Sequence, residues 1–102
     1  MNIGQAIQLA RSKRKLSQAV LAKRAGISVS YLSLLERGRR DPPVSTIQGI
    51  AAALGMPVEI LFFLGAEEGD LGQLNRDLAG QLALTALELL NGPLPDQTEI
   101  SS

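Results

Sequence analysis

Residues 17–36 read SQAVLAKRAGISVSYLSLLE, and the order of residue types in this stretch decides the fold. Ser17 is a helix-capping residue whose side-chain oxygen can take an orphan amide of the first turn. Ala19, Val20, Leu21 and Ala22 follow it, and Gly26 stands where a left-handed residue closes a helix without strain. The result is a helix of about two turns. Ile27 leads into a second short helix capped by Ser28, in which Leu32 and Leu35 repeat at a spacing of three, and Gly38 closes it. Leu21, Ala22, Ile27, Leu32 and Leu35 are the positions that would hold the two helices at a fixed angle.

The flanking sequence supplies more helices. Asn2 caps a segment over 2–14 with Ile3, Ile7 and Ala10 on one face and Leu9 beside it. Pro42 and Pro43 cannot continue a helix. Ser45 is the expected cap of a fourth helix, whose stripe is Ile47, Ile50, Ala51 and Leu54 before Gly55, and Pro57 suits the first position of an apolar fifth helix over 58–64. Residues 65–70 are rich in glycine and acids and read as a linker. Asp70 is the expected cap of a sixth helix over 71–91, stopped at Gly92-Pro93, with Leu74, Leu78, Leu82, Ala86 and Leu89 or Leu90 along one stripe. Residues 92–102 read as a flexible tail. Neither an internal repeat nor strand alternation is evident. The expected fold is all-α, with a five-helix domain over 1–64 and an additional C-terminal helix.

Composition agrees and excludes several functions. Hydrophobic residues make up 45% of the 102 positions and aromatics 3%, with no Trp, so the core must be built of Leu, Ile, Val and Ala. Cysteine and histidine are both absent. That removes disulfides, thiolate chemistry, the usual zinc sites and a histidine base. No Gly-rich phosphate loop or paired-carboxylate motif appears, so the expectation is a protein that is not an enzyme and holds no metal and no cofactor. No uninterrupted apolar run suits a signal sequence or a membrane span, which makes a cytoplasmic protein the expectation.

The charge is zero in sum but divided along the chain. Residues 1–40 hold nine basic side chains and one acid, Glu36, a balance of +8, whereas residues 41–102 hold Arg76 against nine acids, a balance of −8. Such a division suggests a basic face for a polyanion and an acidic remainder. A bihelical unit at 17–36 fits that reading, because such units place their second helix in the major groove of DNA. Short helical hairpins also occur as plain core structure. Arg37, Arg39 and Arg40 follow the second helix in a loop from which they could reach phosphates or a narrow minor groove, and Lys13, Arg14 and Lys15 could complete a basic rim.

Ser17-Gln18, Leu21-Ala22, Ala25-Gly26-Ile27-Ser28, Tyr31-Leu32-Ser33, Glu36-Arg37-Gly38, Pro42, Ile50-Ala51 and Ala53-Leu54-Gly55 occur in order and at family spacing. Over residues 2–64 the chain resembles the lambda-repressor-like, Cro and Xre family of phage and bacterial regulators. The resemblance implies a five-helix domain that binds double-stranded DNA at pseudo-palindromic operators as a homodimer, and so a transcriptional regulator, most often a repressor. It puts the phosphate-clamping glutamine on Gln18, next to Ser17 at the helix N-terminus, and the base-reading surface on Ser28, Val29, Ser30, Ser33 and Leu34, with Tyr31 in reach of the DNA backbone. It also implies an ion pair between Arg11 and Glu36. The sequence departs from better-known members at the reading positions, where bidentate Gln, Asn, Lys or Arg discriminate bases most sharply. Small hydroxyls and aliphatics stand there instead.

The family core closes without the sixth helix, whose leucines must be covered by something. Pairing with a second chain through Leu74, Leu78, Leu82 and Leu89 is one solution, and folding back over residues 58–64 is the other. A function of another class stays open beside DNA binding: an antitoxin or anti-regulator acting mainly on a toxin or another regulatory protein.

Overall fold

The structure, a computed structural model, describes residues 1–67 and the helix 76–91, the side chains of that helix from residue 81 on. Its elements are α1 (Ile3–Lys13), α2 (Gln18–Ala25), α3 (Val29–Glu36), α4 (Val44–Leu54), α5 (Val58–Gly65) and α6 (Arg76–Asn91). The fold is all-α, five short helices around one core with a sixth against them. The expected cap Asp70, the stretch 71–75 expected to be helical with Leu74, residues 68–70 of the expected linker and the 92–102 tail lie outside the described residues, as does the side chain of Leu78, while Gly65, expected to open the linker, is the last residue of α5.

Capping explains where the helices begin. Asn2, Ser17 and Ser28 each accept a hydrogen bond from a backbone N–H three residues on, at Gln5, Val20 and Tyr31, at 3.0–3.1 Å. The fourth helix corrects the reading: Ser45 lies within it, and Pro43 is the capping residue, with extended backbone and no side-chain cap bond. The Pro43 carbonyl accepts from Thr46 and Ile47. A proline needs no N–H partner of its own, so the helix starts directly behind the Pro42-Pro43 pair. Pro57 likewise stands one place before α5.

The helices end by a shared device. After α2, Gly26 at φ 72° donates to Lys23 and Ile27 donates to Ala22, a pair of bonds that satisfies the last carbonyls and turns the next residue inward. The same pair closes α4 at Gly55-Met56, and closes α1 at Lys15-Leu16, where the left-handed residue is a lysine. Leu16, Ile27 and Met56 thereby join the core.

That core contains Ile7, Leu21, Leu32, Leu35, Ile50, Leu54 and Leu61, all fully buried. α1 lies along α5 and crosses α3 so closely that a Cβ on Gly4 would run into the Leu35 carbonyl. Among the described residues no single helix is long and apolar enough to cross a membrane, and the apolar α4 and α5 meet at 103° with Ile47, Ile50, Leu54, Ile60 and Leu61 turned into the core.

α6 lies against α5 and α1 of its own chain. Ala86 and Leu90 are buried there, and Leu82 and Leu89 pack half-buried on the same core. Two leucines assigned to a contact between chains, Leu82 and Leu89, are therefore covered largely within one chain. An α-helix advances about 100° per residue, so Leu84 and Leu87 fall on its other side. They are 63% and 55% exposed, the large apolar side chains of α6 that stand uncovered among the described residues.

Candidate nucleic-acid interface

α2 and α3 meet across the Gly26-Ile27-Ser28 turn with Leu21, Ala22, Leu32 and Leu35 buried between them and the rest of the core. This fixes the outer side of α3. A shallow open depression on it is lined by Gln18, Val29, Ser30, Ser33, Leu34 and Arg37. The structure thus brings together four of the five side chains assigned to base reading, one glutamine assigned to phosphate and one arginine. Val29 and Ser30 are exposed, Ser33 and Leu34 half-buried. The Arg37 side chain lies back along its helix, its Nε donating to the Ser33 carbonyl at 3.3 Å.

Ser28 and Tyr31 lie outside that lining. The Ser28 oxygen is engaged as the α3 cap, and the Tyr31 ring is half-buried against the core. Ser17 is engaged in the same way at α2, with its hydroxyl proton still available to an acceptor. Arg39, Arg40 and Lys13 are exposed and lie outside the lining of the depression.

Arg14 is a correction. It is 9% exposed, and its Nη2 donates to the Gly55 carbonyl at 3.2 Å, the residue that closes α4. A guanidinium suits that place because the last carbonyls of a helix carry partial negative charge. Burial lowers its pKa from the ordinary arginine value. Arg14 is thus a core-side clamp between α1 and α4, whereas its neighbours Lys13 and Lys15 stay on the surface.

The innermost part of the site is a hydrogen-bonded group on three helices. Arg11 Nε donates to Glu36 Oε2 at 2.7 Å and Arg11 Nη2 to Glu36 Oε1 at 3.0 Å, a bidentate fork. Arg11 Nη1 donates to the Leu16 carbonyl at 2.9 Å. Gln18 Nε2 donates to Glu36 Oε1 at 3.0 Å. The Glu36 side chain is 3% exposed and that of Arg11 16%, so the charges are matched almost out of water. The link from Glu36 to Gln18 escaped the sequence reading, although a lone acid among nine cations was the signal that marked Glu36. Gly4 escaped it too, because nothing local to residue 4 reports the carbonyls that approach it.

The model of the helix-turn-helix family matches residues 7–61. An immunity repressor protein of Bacillus phage phi105 is 44% identical over 61 residues, 60% of this chain and 42% of that one. The transcriptional regulator DdrOP3 of Deinococcus deserti is 36% identical over 91 residues, 85% of this chain and 69% of that one. Among solved structures, the SinR protein/SinI protein complex contains a chain that superposes with a TM-score of 0.57 at 26% identity, covering 95% of this chain and 87% of that one. The chain spans less than half the length of the phage repressor. The family match covers α2 and α3 whole, together with α4 and most of α1, and from it the chain belongs to the lambda-repressor-like helix-turn-helix family of transcriptional regulators.

Proposed function

We propose that this protein is a sequence-specific binder of double-stranded DNA, a repressor in which residues 1–64 form the DNA-binding unit and α3 enters the major groove. The observation that carries the reading is the shared depression of Gln18, Val29, Ser30, Ser33, Leu34 and Arg37 on the outer side of α3. Ser30 and Ser33 have hydroxyls for base edges, Val29 and Leu34 have methyl groups for thymine, and Ser28 stands at the entry to the helix. Gln18, Ser17, Tyr31, Arg37, Arg39, Arg40 and Lys13 serve as phosphate contacts that position the helix without reading sequence.

Poor base-reading side chains favour a dimer, which doubles the contacts and places two reading helices about one DNA turn, roughly 34 Å, apart. The uncovered Leu84 and Leu87 support a second copy against the outer side of α6. One comparison favours a second reading for the same surface: SinR was solved in complex with the SinI protein, so a regulatory protein of that kind, or a toxin, is the alternative occupant.

Selection of bound duplexes from a random pool tests the function. The expected result is a palindromic motif with half-sites one helical turn apart. A pool that shows no enrichment over successive rounds would overturn the reading. An enriched but asymmetric single half-site would keep DNA binding and remove the dimer.

A further inference from the structure

We propose that Glu36 is a positioning residue for DNA binding, a carboxylate that holds the Gln18 amide with its NH2 end presented to the α3 face. The inference rests on the reading of that face as the DNA site. A carboxylate is acceptor-only, and Glu36 Oε1 lies 3.0 Å from the terminal atom of Gln18. Only the NH2 end of the amide can stand there, because the reversed amide would set two oxygens against each other. The amide nitrogen carries two hydrogens and gives one to Glu36. Its other N–H is left for an anion in the depression that Gln18 lines. A free glutamine could turn either end toward the ligand, and only one end donates to a phosphate oxygen.

The carboxylate is itself held. Arg11 grips both of its oxygens, and the Arg11 guanidinium is tied to the Leu16 carbonyl, just before α2 begins. Glu36 in turn ends α3, so the group connects the end of α1, the first residue of α2 and the last residue of α3. An ion pair serving only to join α1 to α3 would be complete with Arg11 and Glu36. The third bond, to the half-buried glutamine that lines the depression, is what ties the buried pair to the ligand face. At 3% exposure Glu36 does not touch DNA itself; it acts through Gln18.

Two measurements on the full chain test this. Side-chain amide exchange, followed by NMR in the free protein, compares Gln18 with the exposed Gln5, Gln8, Gln48 and Gln81. Gln18 should exchange severalfold more slowly, since its NH2 is engaged with a buried carboxylate; exchange like that of the other four would overturn the proposal. The second is a double-mutant cycle of Gln18→Ala and Glu36→Gln, read as affinity for a fluorescein-labelled random-sequence duplex at low salt, with circular dichroism to verify folding. Gln18→Ala should weaken binding about tenfold per protomer, the loss of one charge-assisted bond, and so about a hundredfold for a dimer. Glu36→Gln lets the Gln18 amide take both orientations and should weaken a dimer about fourfold or more. In the Gln18→Ala background it should change nothing further. Equal losses in both backgrounds would mean that Glu36 acts through the general fold, and would overturn the proposal. If Glu36→Gln fails to fold, the amide exchange of the unaltered protein decides alone. If the unaltered protein binds no DNA at low salt, the functional reading itself falls, and the exchange experiment still reports whether Glu36 holds the amide.

Discussion

Lys15 closes α1 at φ 59°, in the left-handed region that Gly26, Gly38 and Gly55 occupy elsewhere in the chain. A side chain there costs about 1 kcal/mol, whereas glycine takes the conformation freely. Two residues beyond the cap of α1 the situation is inverted, for Gly4 sits in a helix where glycine is weak, and the Leu35 carbonyl leaves no room for a Cβ. The two residues predict opposite shifts in thermal unfolding. Lys15→Gly should stabilise by about 1 kcal/mol, raising the midpoint by roughly 4–8 °C for a domain of this size. Gly4→Ala should destabilise by about 1–3 kcal/mol through overpacking against backbone that cannot yield. Shifts of the same sign, or a neutral Gly4→Ala, would contradict this account of the crossing and the cap. Neither residue was legible in the sequence, since a lysine between Arg14 and Leu16 reads as one more cation and a glycine inside a helix as a local weakness. Arg14 was misread for the same reason: charge is visible in a sequence, but the α4 end that buries Arg14 against the Gly55 carbonyl is not. Ser17 and Ser28 were legible because capping is local, decided within three residues of the chain.

At the level of elements, local signals carry far. The glycine closures at Gly26 and Gly55 and the stripe Ile47, Ile50, Ala51 and Leu54 place α2 and α4 from sequence, and all four stripe residues are buried. The start of α4 was displaced by two positions because Ser45 is a better side-chain cap than Pro43, while the chain geometry of two prolines, rather than a side chain, sets that start. What periodicity cannot supply is the object that an apolar stripe meets. α6 turns Leu82, Ala86, Leu89 and Leu90 toward α5 and α1 of its own chain, which leaves Leu84 and Leu87 outward. Deleting the helix would therefore uncover core as well as any contact between chains. The double change Leu84→Lys and Leu87→Lys is the cleaner test, since exposed positions contribute only about ±0.5 kcal/mol to the stability of one chain. Light scattering should give a dimer for the unaltered protein and a monomer for the variant. A variant that remains dimeric would place the contact away from the outer side of α6.

The whole molecule divides its charge by sequence half, and folding refines that division. Of nine basic side chains in residues 1–40, Arg11 is spent on Glu36 and Arg14 is buried at Gly55. Lys13, Lys15, Lys23, Arg24, Arg37, Arg39 and Arg40 remain exposed. The net charge of zero therefore hides a basic surface on the half of the chain that carries α2 and α3, and a formal charge near neutrality does not weigh against a polyanionic partner. Binding through such a surface releases counterions from DNA, and the affinity must then fall steeply as salt rises. The affinity of the full chain for labelled duplex DNA, measured by fluorescence anisotropy over a series of salt concentrations, tests whether this basic face binds DNA. With about six to eight phosphate contacts per dimer, log affinity against log salt should be linear with a slope of about −5 to −7. No binding at low salt, or binding whose slope is near zero, would contradict the assignment of this face to DNA.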